Sequence, residues 1–511
     1  MTSTLKELIA AHDPHHPAIG APGKDWLTYG ALRKLGDDVA TQLHSFGIGR
    51  GDRVAIVLAN GPAMATAFAT IAQAAVTAPL NPAYREEEYT FYLDDLKAKA
   101  IVLADGYDGP ALAAAKTCGL TIVRLVQSDT GAAGAFSLRC DDTPAPAQDT
   151  QPATADDQAL ILHTSGTTSR PKIVPLLHSN LAASAINIKE ALALTADDRC
   201  LNVMPLFHIH GLIAAVSASL AAGGSIWCAP GFDALRFFTW MQDARPTWYT
   251  AVPTMHQAIL ARAPRNSDVI ASVPLRFLRS SSASLPAQVM TALQDTFGAP
   301  VIEAYGMTEA THQMASNPLP PAAQKPGSVG IAAGPMVRIA HEIENHLIAG
   351  TGEVVISGPN VTPGYESNPD ANEKNFFTEN DQRWFRTGDQ GAFDDEGYLY
   401  LTGRLKEIIN RGGEKISPLE VDGVLLDHPD VVQVVTFAIP HPKLGEEVGA
   451  AVVLRDGADT TAADIRTFAA THMADFKVPR KVVIMDDIPK GATGKMQRIG
   501  LAEKLGLAAP A

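Results

Sequence analysis

The stretch LILHTSGTTSRPKIVPLLHSN occupies residues 160–180 and joins two apolar runs through a loop of Ser, Thr and Gly. The loop closes on Pro171 and Lys172. Backbone N–H groups and hydroxyls in such a loop can surround a polyphosphate, and a lysine adds charge for the outer phosphates. A Walker loop would need Ser or Thr after its lysine, but Ile173 follows here. The segment therefore predicts a phosphate loop of another kind, with a mobile surface loop as the alternative.

Strand-like apolar runs alternate with helical patterns on both sides of this loop. DRVAIVLAN (52–60) predicts a buried strand, and the Ala-rich run PAMATAFATIAQAAV (62–76) predicts a helix. ALRFFTWMQDA (234–244) and PTWYTAVP (246–253) repeat the pair as helix and strand. The alternation indicates an α/β fold with largely parallel sheets. Residues 128–157, rich in Asp, Thr, Ala, Pro and Gln, predict an exposed connection.

The length of 511 residues predicts at least two domains. Residues 386–406 form a string of short strand patterns and Gly/Asp turns, after which the pattern becomes α+β. We therefore expect a domain boundary near Leu405–Lys406, which divides the chain into residues 1–404 and 405–511.

Composition narrows the class of partner. The chain is 46% hydrophobic and 19% charged, as in ordinary globular proteins. A net charge of −14 without a dense basic stripe argues against a nucleic-acid partner. No run reaches about 18 apolar residues, so no membrane span is expected. The N-terminus lacks a secretory signal pattern, and the four cysteines lack the spacing of a zinc site or disulfide framework, so we expect a cytoplasmic protein.

The loop TSGTTSRPK (164–172) resembles the phosphate loop of the acyl-adenylate-forming enzymes, which include acyl-CoA synthetases. Further motifs of that family follow in order along the chain: PLFHIHG (205–211), RSSSASLP (279–286), EAYGMTEATH (303–312), RTGD (386–389), TGRLKEIINRGGEKISP (402–418) and PKGATGK (489–495). The resemblance implies the acetyl-CoA synthetase-like fold, with a large N-terminal domain of mostly parallel sheets flanked by helices. It also implies a small mobile α+β C-terminal domain that acts as a catalytic lid.

The resemblance implies a nucleotide site for ATP in the large domain. Tyr305 would lie on the adenine, Asp389 would accept the ribose hydroxyls, and Glu309 would hold Mg²⁺ through its carboxylate. The ATP contacts that it implies are Thr164, Ser165, Gly166, Thr167, Thr168, Lys172, Ser282, Ala283, Glu303, Ala304, Tyr305, Gly306, Thr308, Asp389, Arg404 and Lys495.

The catalytic residues implied by the family motifs are Lys495, Glu309, Thr308 and His208. Lys495 would reach the substrate carboxylate and the α-phosphate during adenylation. CoA would then attack after the small domain rotates about a hinge at Lys406. The same resemblance assigns the CoA side of the hinge to Gly412, Gly413 and Lys415.

The acid is indicated by polar residues where family members often carry apolar or small ones: His208, His210, Ser281, Ser282 and His312. Such donors suit a second carboxylate, although any one of the histidines could instead be a hydrogen-bonded structural residue. The segment MTEATHQMASNPLP (307–320) extends beyond the general motif and resembles the family members that activate oxalate. Oxalate is therefore the expected acid.

Three other functions remain open at this stage. The chain could activate another short, medium-chain or aromatic acid, or it could load a carrier protein instead of CoA. A catalytically silent nucleotide-binding protein would be expected to lack Lys495, Glu309 or Asp389, and all three are present. The sequence does not indicate an oligomeric state.

Overall fold

The structure is a computed structural model that describes residues 3–128, 130–142, 145–164, 171–491 and 495–507. Its mixed sheets, largely parallel in the N-terminal part and covered by helices, confirm the predicted α/β class. No helix among the described residues is long and apolar enough to cross a membrane.

The phosphate-loop region belongs to a sheet that has seven strands within the described residues, the central five being parallel. Its strands in spatial order are Phe136–Cys140, Thr121–Gln127, Ala100–Ala104, Arg53–Val57, Val76–Pro79, Gln158–Thr164 and Lys172–Leu177.

The second sheet has nine strands in the described chain, six of them parallel. Their spatial order is Ile331–Ala332, His312–Ser316, Val301–Met307, Phe277–Ser281, Trp248–Ala251, Arg199–Asn202, Ser225–Cys228, Pro17–Ala21 and Lys24–Thr28. The motifs RSSSASLP and EAYGMTEATH therefore start on adjacent strands and leave the sheet at the same edge.

An antiparallel sheet follows, with strands Met336–Ala340, Gly352–Ser357, Gln382–Phe393, Phe376–Glu379 and Leu399–Arg404. The last sheet contains Glu414–Ile416, Ile409–Arg411, Gly445–Leu454, Val431–His441 and Lys481–Ile484. This last sheet and its helices enclose a separate buried cluster that includes Ile409, Val421, Val448 and Ile465.

The α-helices are Leu5–Ala10, Tyr29–Ser45, Pro62–Ile71, Glu86–Asp95, Pro110–Thr117, His178–Ala191, Ala218–Ala222, Phe237–Ala244, Pro253–Leu260, Ser267–Ser272, Ala287–Phe297, Pro369–Asn375, Pro418–Leu426, Ala462–His472 and Leu501–Lys504. The tighter or wider helical turns are the 3-10 segments Ala263–Arg265 and Thr308–Ala310 and the π-helix His210–Ser217. The main core lies between the two large sheets, where Phe68 of a helix packs with Ile56 and Ile226 of the sheets.

Two sequence predictions differ from the structure. The Ala-rich helix ends at Ile71, and Val76–Pro79 forms a parallel strand instead of the helix end. The expected connection 128–157 contains the strand Phe136–Cys140, which pairs antiparallel with its neighbour. Both strands are short. Each is formed by pairing with a strand from another part of the chain, which local composition does not reveal.

Candidate active site

The acyl end of the site lies where the π-helical segment His210–Ser217 meets the ends of two strands of the second sheet. His210 is completely buried. Its Nδ1 lies 2.9 Å from Ser282 Oγ, and its Nε2 lies 2.6 Å from Thr250 Oγ1. Burial lowers the pKa of His210 well below its usual value, so the ring is neutral. Both ring nitrogens are thus occupied by hydroxyl groups of the protein, whereas the sequence predicted a direct contact of His210 with the acid.

His312 sits in a strained turn that follows the 3-10 segment Thr308–Ala310. Thr311 has φ 48° and His312 has φ 97°, in the left-handed region that non-glycine residues avoid. The Asn360 amide holds this turn by donating to two of its backbone carbonyls, at 2.8 and 3.0 Å. His312 Nδ1 is buried and has no hydrogen-bond partner among the residues that the structure describes. Strain of this kind is found at ligand sites, and the unpaired nitrogen is available to a ligand.

Lys495 reaches the acyl end from the C-terminal part of the chain. Burial and the positive charge of Arg404 lower the pKa of Lys495 to about 8. Burial, together with the charge of Lys495, lowers the pKa of His208 to about 3. His208 also accepts a hydrogen bond from the backbone N–H of His210 at 3.4 Å. Lys495 also lines a cavity together with Ala283 and Ser284, which directly follow Ser282, so the predicted catalytic lysine lies near the predicted acyl end.

This lowered pKa predicts how the adenylation half-reaction depends on pH. Lys495 is charged below about pH 8 and loses its charge above it, and only the charged form can neutralise the reacting anions. We expect kcat/KM for ATP in pyrophosphate exchange to fall by about tenfold per pH unit above the pKa. A Lys495→Arg variant keeps its positive charge at these pH values, so its kcat/KM should be lower than that of wild type but independent of pH over the same range. A flat wild-type profile to about pH 9.5 would contradict the assignment.

The predicted ribose site combines Tyr305 from the second sheet with Asp389 and Arg404 from the third, antiparallel sheet. Asp389 and Arg404 are opposite each other on paired strands, and Arg404 Nε lies 3.3 Å from Asp389 Oδ1. The Tyr305 hydroxyl donates to the other Asp389 oxygen. The carboxylate of Asp389 raises the pKa of Arg404, which stays charged. The three residues lie together as predicted, with a carboxylate and an aromatic ring side by side.

Glu309 is the predicted Mg²⁺ ligand and is almost completely buried. Tyr365 donates its hydroxyl to Glu309 Oε1 at 2.8 Å, and burial raises the pKa of the carboxyl. A divalent cation would favour the charged form at this position. In the described ranges, no three His, Cys, Asp or Glu side chains are grouped to hold a metal. This donor set fits Mg²⁺, which usually binds one or two protein carboxylates together with substrate phosphates.

The structure describes the predicted phosphate loop only at its two ends, Thr164 and Lys172. Thr164 and Lys172 face each other across an antiparallel strand pair, and Lys172 Nζ lies 4.2 Å from the centroid of the Tyr365 ring. Burial lowers the pKa of Lys172, while the charge of Glu309 opposes that shift. Tyr365 therefore contacts both residues, Lys172 through its ring and Glu309 through its hydroxyl. The other predicted loop residues, Ser165, Gly166, Thr167 and Thr168, lie outside the described residues.

The remaining nucleotide predictions fall on the strand Val301–Met307 and the turns beside it. A Cβ on Gly306 would come within 2.0 Å of the His312 carbonyl oxygen, so only glycine fits between these strands. Glu303 is buried and accepts the backbone N–H of Leu285 at 2.8 Å, and burial raises its pKa to about 8. Ala304 is buried on the same strand and Thr308 begins the 3-10 turn, while Ser282 and Ala283 follow the neighbouring strand.

Ser281 does not offer the free hydroxyl that its predicted contact with the acid requires. It is fully buried at the end of its strand, and its hydroxyl donates to the Ala304 carbonyl at 2.7 Å. A serine has one hydroxyl proton, so Ser281 cannot donate to a carboxylate at the same time. Ser282 is the serine that turns toward His210, with a left-handed φ of 76°.

The predicted hinge and CoA residues lie in the first turns after the third sheet. Gly412 and Gly413 form the turn between the strands Ile409–Arg411 and Glu414–Ile416, with φ of 61° and 97°. Lys415 forms an ion pair with Glu342 of the N-terminal part, 2.6 Å between Nζ and Oε2. Lys406 follows the strand that ends at Arg404, and its charge lowers the pKa of Lys172.

Four residues of this site were not found by sequence reasoning: Thr250, Arg279, Asn360 and Tyr365. Thr250 and Arg279 are register partners on adjacent strands, and each contacts His210. Only the sheet pairing brings them together, since they are separated in the sequence. Arg279 opens the motif RSSSASLP, which was a signal that sequence analysis could have used.

Comparison with known proteins identifies the class. The family model described as AMP-binding enzyme matches residues 7–366, and the AMP-binding enzyme C-terminal domain matches residues 420–495. The chain belongs to the AMP-binding enzyme family, which is the acyl-adenylate-forming class predicted from the motifs.

Within that family, the chain is similar over most of its length to several individual proteins. The chain is 46% identical over 503 residues to the oxalate–CoA ligase of Arabidopsis thaliana, covering 97% of both chains. It is 43% identical to the oxalate–CoA ligase of Saccharomyces cerevisiae, covering 89% of this chain and 87% of the other. The crystal structure of ATP-bound MatB from Rhodopseudomonas palustris matches at 30% identity with a TM-score of 0.87, covering 99% of both chains. The apo structure of that protein gives 0.78.

Proposed function

We propose that this chain is an ATP-dependent oxalate–CoA ligase, which adenylates oxalate and transfers the oxalyl group to CoA with release of pyrophosphate and AMP. The observation that carries the proposal is the polar acyl end formed by Ser282, the buried His312 and Lys495. The two oxalate–CoA ligases that the chain resembles over most of its length support it.

The acyl end favours a small diacid over a fatty or aryl acid. An apolar chain or ring would need a slot lined mainly by hydrophobic side chains. A second carboxylate buried without partners would instead cost several kcal/mol. Ser282 and His312 can offer hydrogen bonds to that carboxylate, while Lys495 adds positive charge beside the reacting one.

In the first step one oxalate oxygen attacks the α-phosphorus of ATP, and pyrophosphate leaves. Two anions meet in this attack, so positive charge must lie where negative charge develops. Lys495 supplies it next to the carboxylate, and Lys172 and Thr308 hold the phosphates. Mg²⁺ bound at Glu309 would neutralise further phosphate charge. Tyr305, Asp389 and Arg404 hold the nucleoside.

In the second step the thiol of CoA attacks the acyl carbon, and AMP departs with the electron pair of the broken anhydride bond. We assign residues 1–404 to the nucleotide- and acid-binding domain and residues 405–511 to the mobile domain. The separate core around Val448 supports this division, because a unit with its own core can move as a body. Rotation at Lys406 would withdraw Lys495 and bring Gly412 and Gly413 toward the acyl group.

A substrate panel tests the proposal. Pyrophosphate release is measured with oxalate, malonate, acetate, octanoate and coumarate at matched concentrations. We expect kcat/KM to be highest for oxalate. A preference for octanoate or coumarate would be compatible with the proposed adenylation chemistry but would rule out oxalate as the substrate.

Replacement of His312 with alanine tests its contact with the acid. Loss of a hydrogen bond to a charged group should raise KM for oxalate by about tenfold or more, with KM for ATP nearly unchanged. Because φ at this position is 97°, His312→Gly provides the control: it removes the same side chain without backbone strain. Both variants should lose oxalate affinity alike. An unchanged KM for oxalate in His312→Gly would remove His312 from the pocket.

A further inference from the structure

Arg279 is a completely buried arginine beside the acyl end of the site. Its Nη2 donates to Gln313 Oε1 at 3.2 Å, and its Nη1 lies 3.5 Å from both His210 Nε2 and Thr250 Oγ1. Within the described ranges, Arg279 Nε has no hydrogen-bond partner. Across the described part of the chain, no Asp or Glu side chain forms an ion pair with this guanidinium, and burial lowers its pKa to about 9.

Arg276, three residues earlier and exposed at the surface, has by contrast a fixed anionic partner. Its Nε and Nη2 each lie 3.0 Å from an oxygen of Asp198, so its charge is paired within the protein. Buried arginines are normally paired in this way, since an unpaired buried charge destabilises the fold. Arg279 is thus a buried cation with a spare donor and no fixed anion, in the same pocket that would receive an anionic acid.

The contacts of Arg279 also fix the direction of the hydrogen bonds in this pocket. A guanidinium can only donate, so a proton on His210 Nε2 would face the Nη1 donor. His210 Nε2 therefore accepts from the Thr250 hydroxyl, and the ring proton sits on Nδ1. His210 Nδ1–H then donates to Ser282 Oγ, which leaves the Ser282 hydroxyl proton free to donate elsewhere. The neutral state of His210 agrees with this order.

We propose that Arg279 is a positioning and specificity residue, which acts through Thr250 and His210 to make Ser282 a donor to the second carboxylate of the acid, and whose buried charge favours a dianion. The inference rests on the proposed function, since it concerns how that site selects a diacid. Among the described residues, the hydrogen-bond contacts of Arg279 are with His210, Thr250 and Gln313, none of which is assigned to the nucleotide. Removal of Arg279 should consequently affect acid binding far more than nucleotide binding.

The test compares Arg279→Met, Thr250→Val and the double variant with wild type in pyrophosphate release. Methionine removes the charge and donors with similar bulk, and valine removes only the Thr250 hydroxyl. We expect each single variant to raise KM for oxalate by about tenfold or more, with KM for ATP within about twofold. In the double variant, KM for oxalate should rise by less than the product of the two single-variant factors, because both residues act on one chain of hydrogen bonds.

Thermal unfolding separates positioning from a structural role. Removing an unpaired buried charge should leave the melting temperature of Arg279→Met at or above that of wild type. The matched control, Arg276→Met, breaks the ion pair with Asp198 and should lower the melting temperature while KM for oxalate stays unchanged. Arg279→Met that melts lower and loses oxalate and ATP affinity equally would overturn the inference. An unaltered oxalate KM in Thr250→Val would overturn the proposed chain of hydrogen bonds.

The wild-type enzyme distinguishes failure of this inference from failure of the proposed function. If wild type does not adenylate oxalate but does adenylate a monocarboxylate, the proposed function fails, and the inference that rests on it falls with it. If wild type uses oxalate and Arg279→Met binds it as well as wild type does, the proposed function stands and the inference fails.

Discussion

Replacement of Lys495 with alanine is expected to reduce adenylation by about 10³-fold or more, because the variant lacks the charge that faces the reacting carboxylate and α-phosphate. Formation of the thioester from supplied oxalyl-adenylate and CoA should remain near the wild-type rate. The structure is consistent with this separation: Lys495 lines a cavity together with Ala283 and Ser284, which directly follow Ser282, and its charge acts on His208. Single-turnover measurements of each half-reaction check this expectation.

Lys490 provides the matched control for that variant. It lies in the same C-terminal segment, but its ammonium forms an ion pair with Asp487. Lys490→Ala should leave both half-reactions unchanged. Equal loss of adenylation and thioester formation in Lys495→Ala would contradict a role confined to the first step.

Replacement of Glu309 with glutamine is expected to lower adenylation by about 10²-fold or more and to shift the Mg²⁺ concentration needed for half-maximal rate upward. Glutamine keeps the shape and can still accept the Tyr365 hydroxyl bond, so the change isolates the negative charge. That charge is the feature a divalent cation requires. A Mg²⁺ titration of pyrophosphate exchange provides the measurement.

The Tyr365→Phe variant distinguishes the contribution of metal binding by Glu309 from that of its hydrogen bond with Tyr365. It removes the donor to Glu309 while it keeps the ring next to Lys172 and the carboxylate itself. We expect a much smaller loss of rate than in Glu309→Gln. An identical Mg²⁺ dependence in wild type and Glu309→Gln would remove Glu309 as the metal ligand.

The sequence predicts the parts of this site that lie within continuous motifs. Tyr305 and Glu309 lie on one strand and the turn that follows it, and Asp389 and Arg404 each fall in a recognisable short segment. Local sequence carries the information there, because the chemistry needs particular side chains at fixed spacing. The α/β class followed in the same way from the alternation of strand and helix patterns.

The parts that the sequence did not predict depend on pairing between distant segments. Thr250 contacts Arg279 because two strands align in register, and neither residue alone indicates a role. Ser281 and Ser282 are adjacent and chemically identical, yet only the turn with φ 76° at Ser282 decides which hydroxyl faces His210. The strand Val76–Pro79 begins at the last residue of the Ala-rich run 62–76, which is equally suited to a helix.

The most direct test of the account follows an oxygen atom. The enzyme is incubated with ATP, Mg²⁺, CoA and oxalate labelled with ¹⁸O in its carboxylates, and the products are analysed by mass spectrometry. Attack of the carboxylate on the α-phosphorus predicts that a single labelled oxygen appears in AMP, together with labelled oxalyl-CoA. Unlabelled AMP, or ADP and phosphate as products, would contradict adenylation of oxalate by this site.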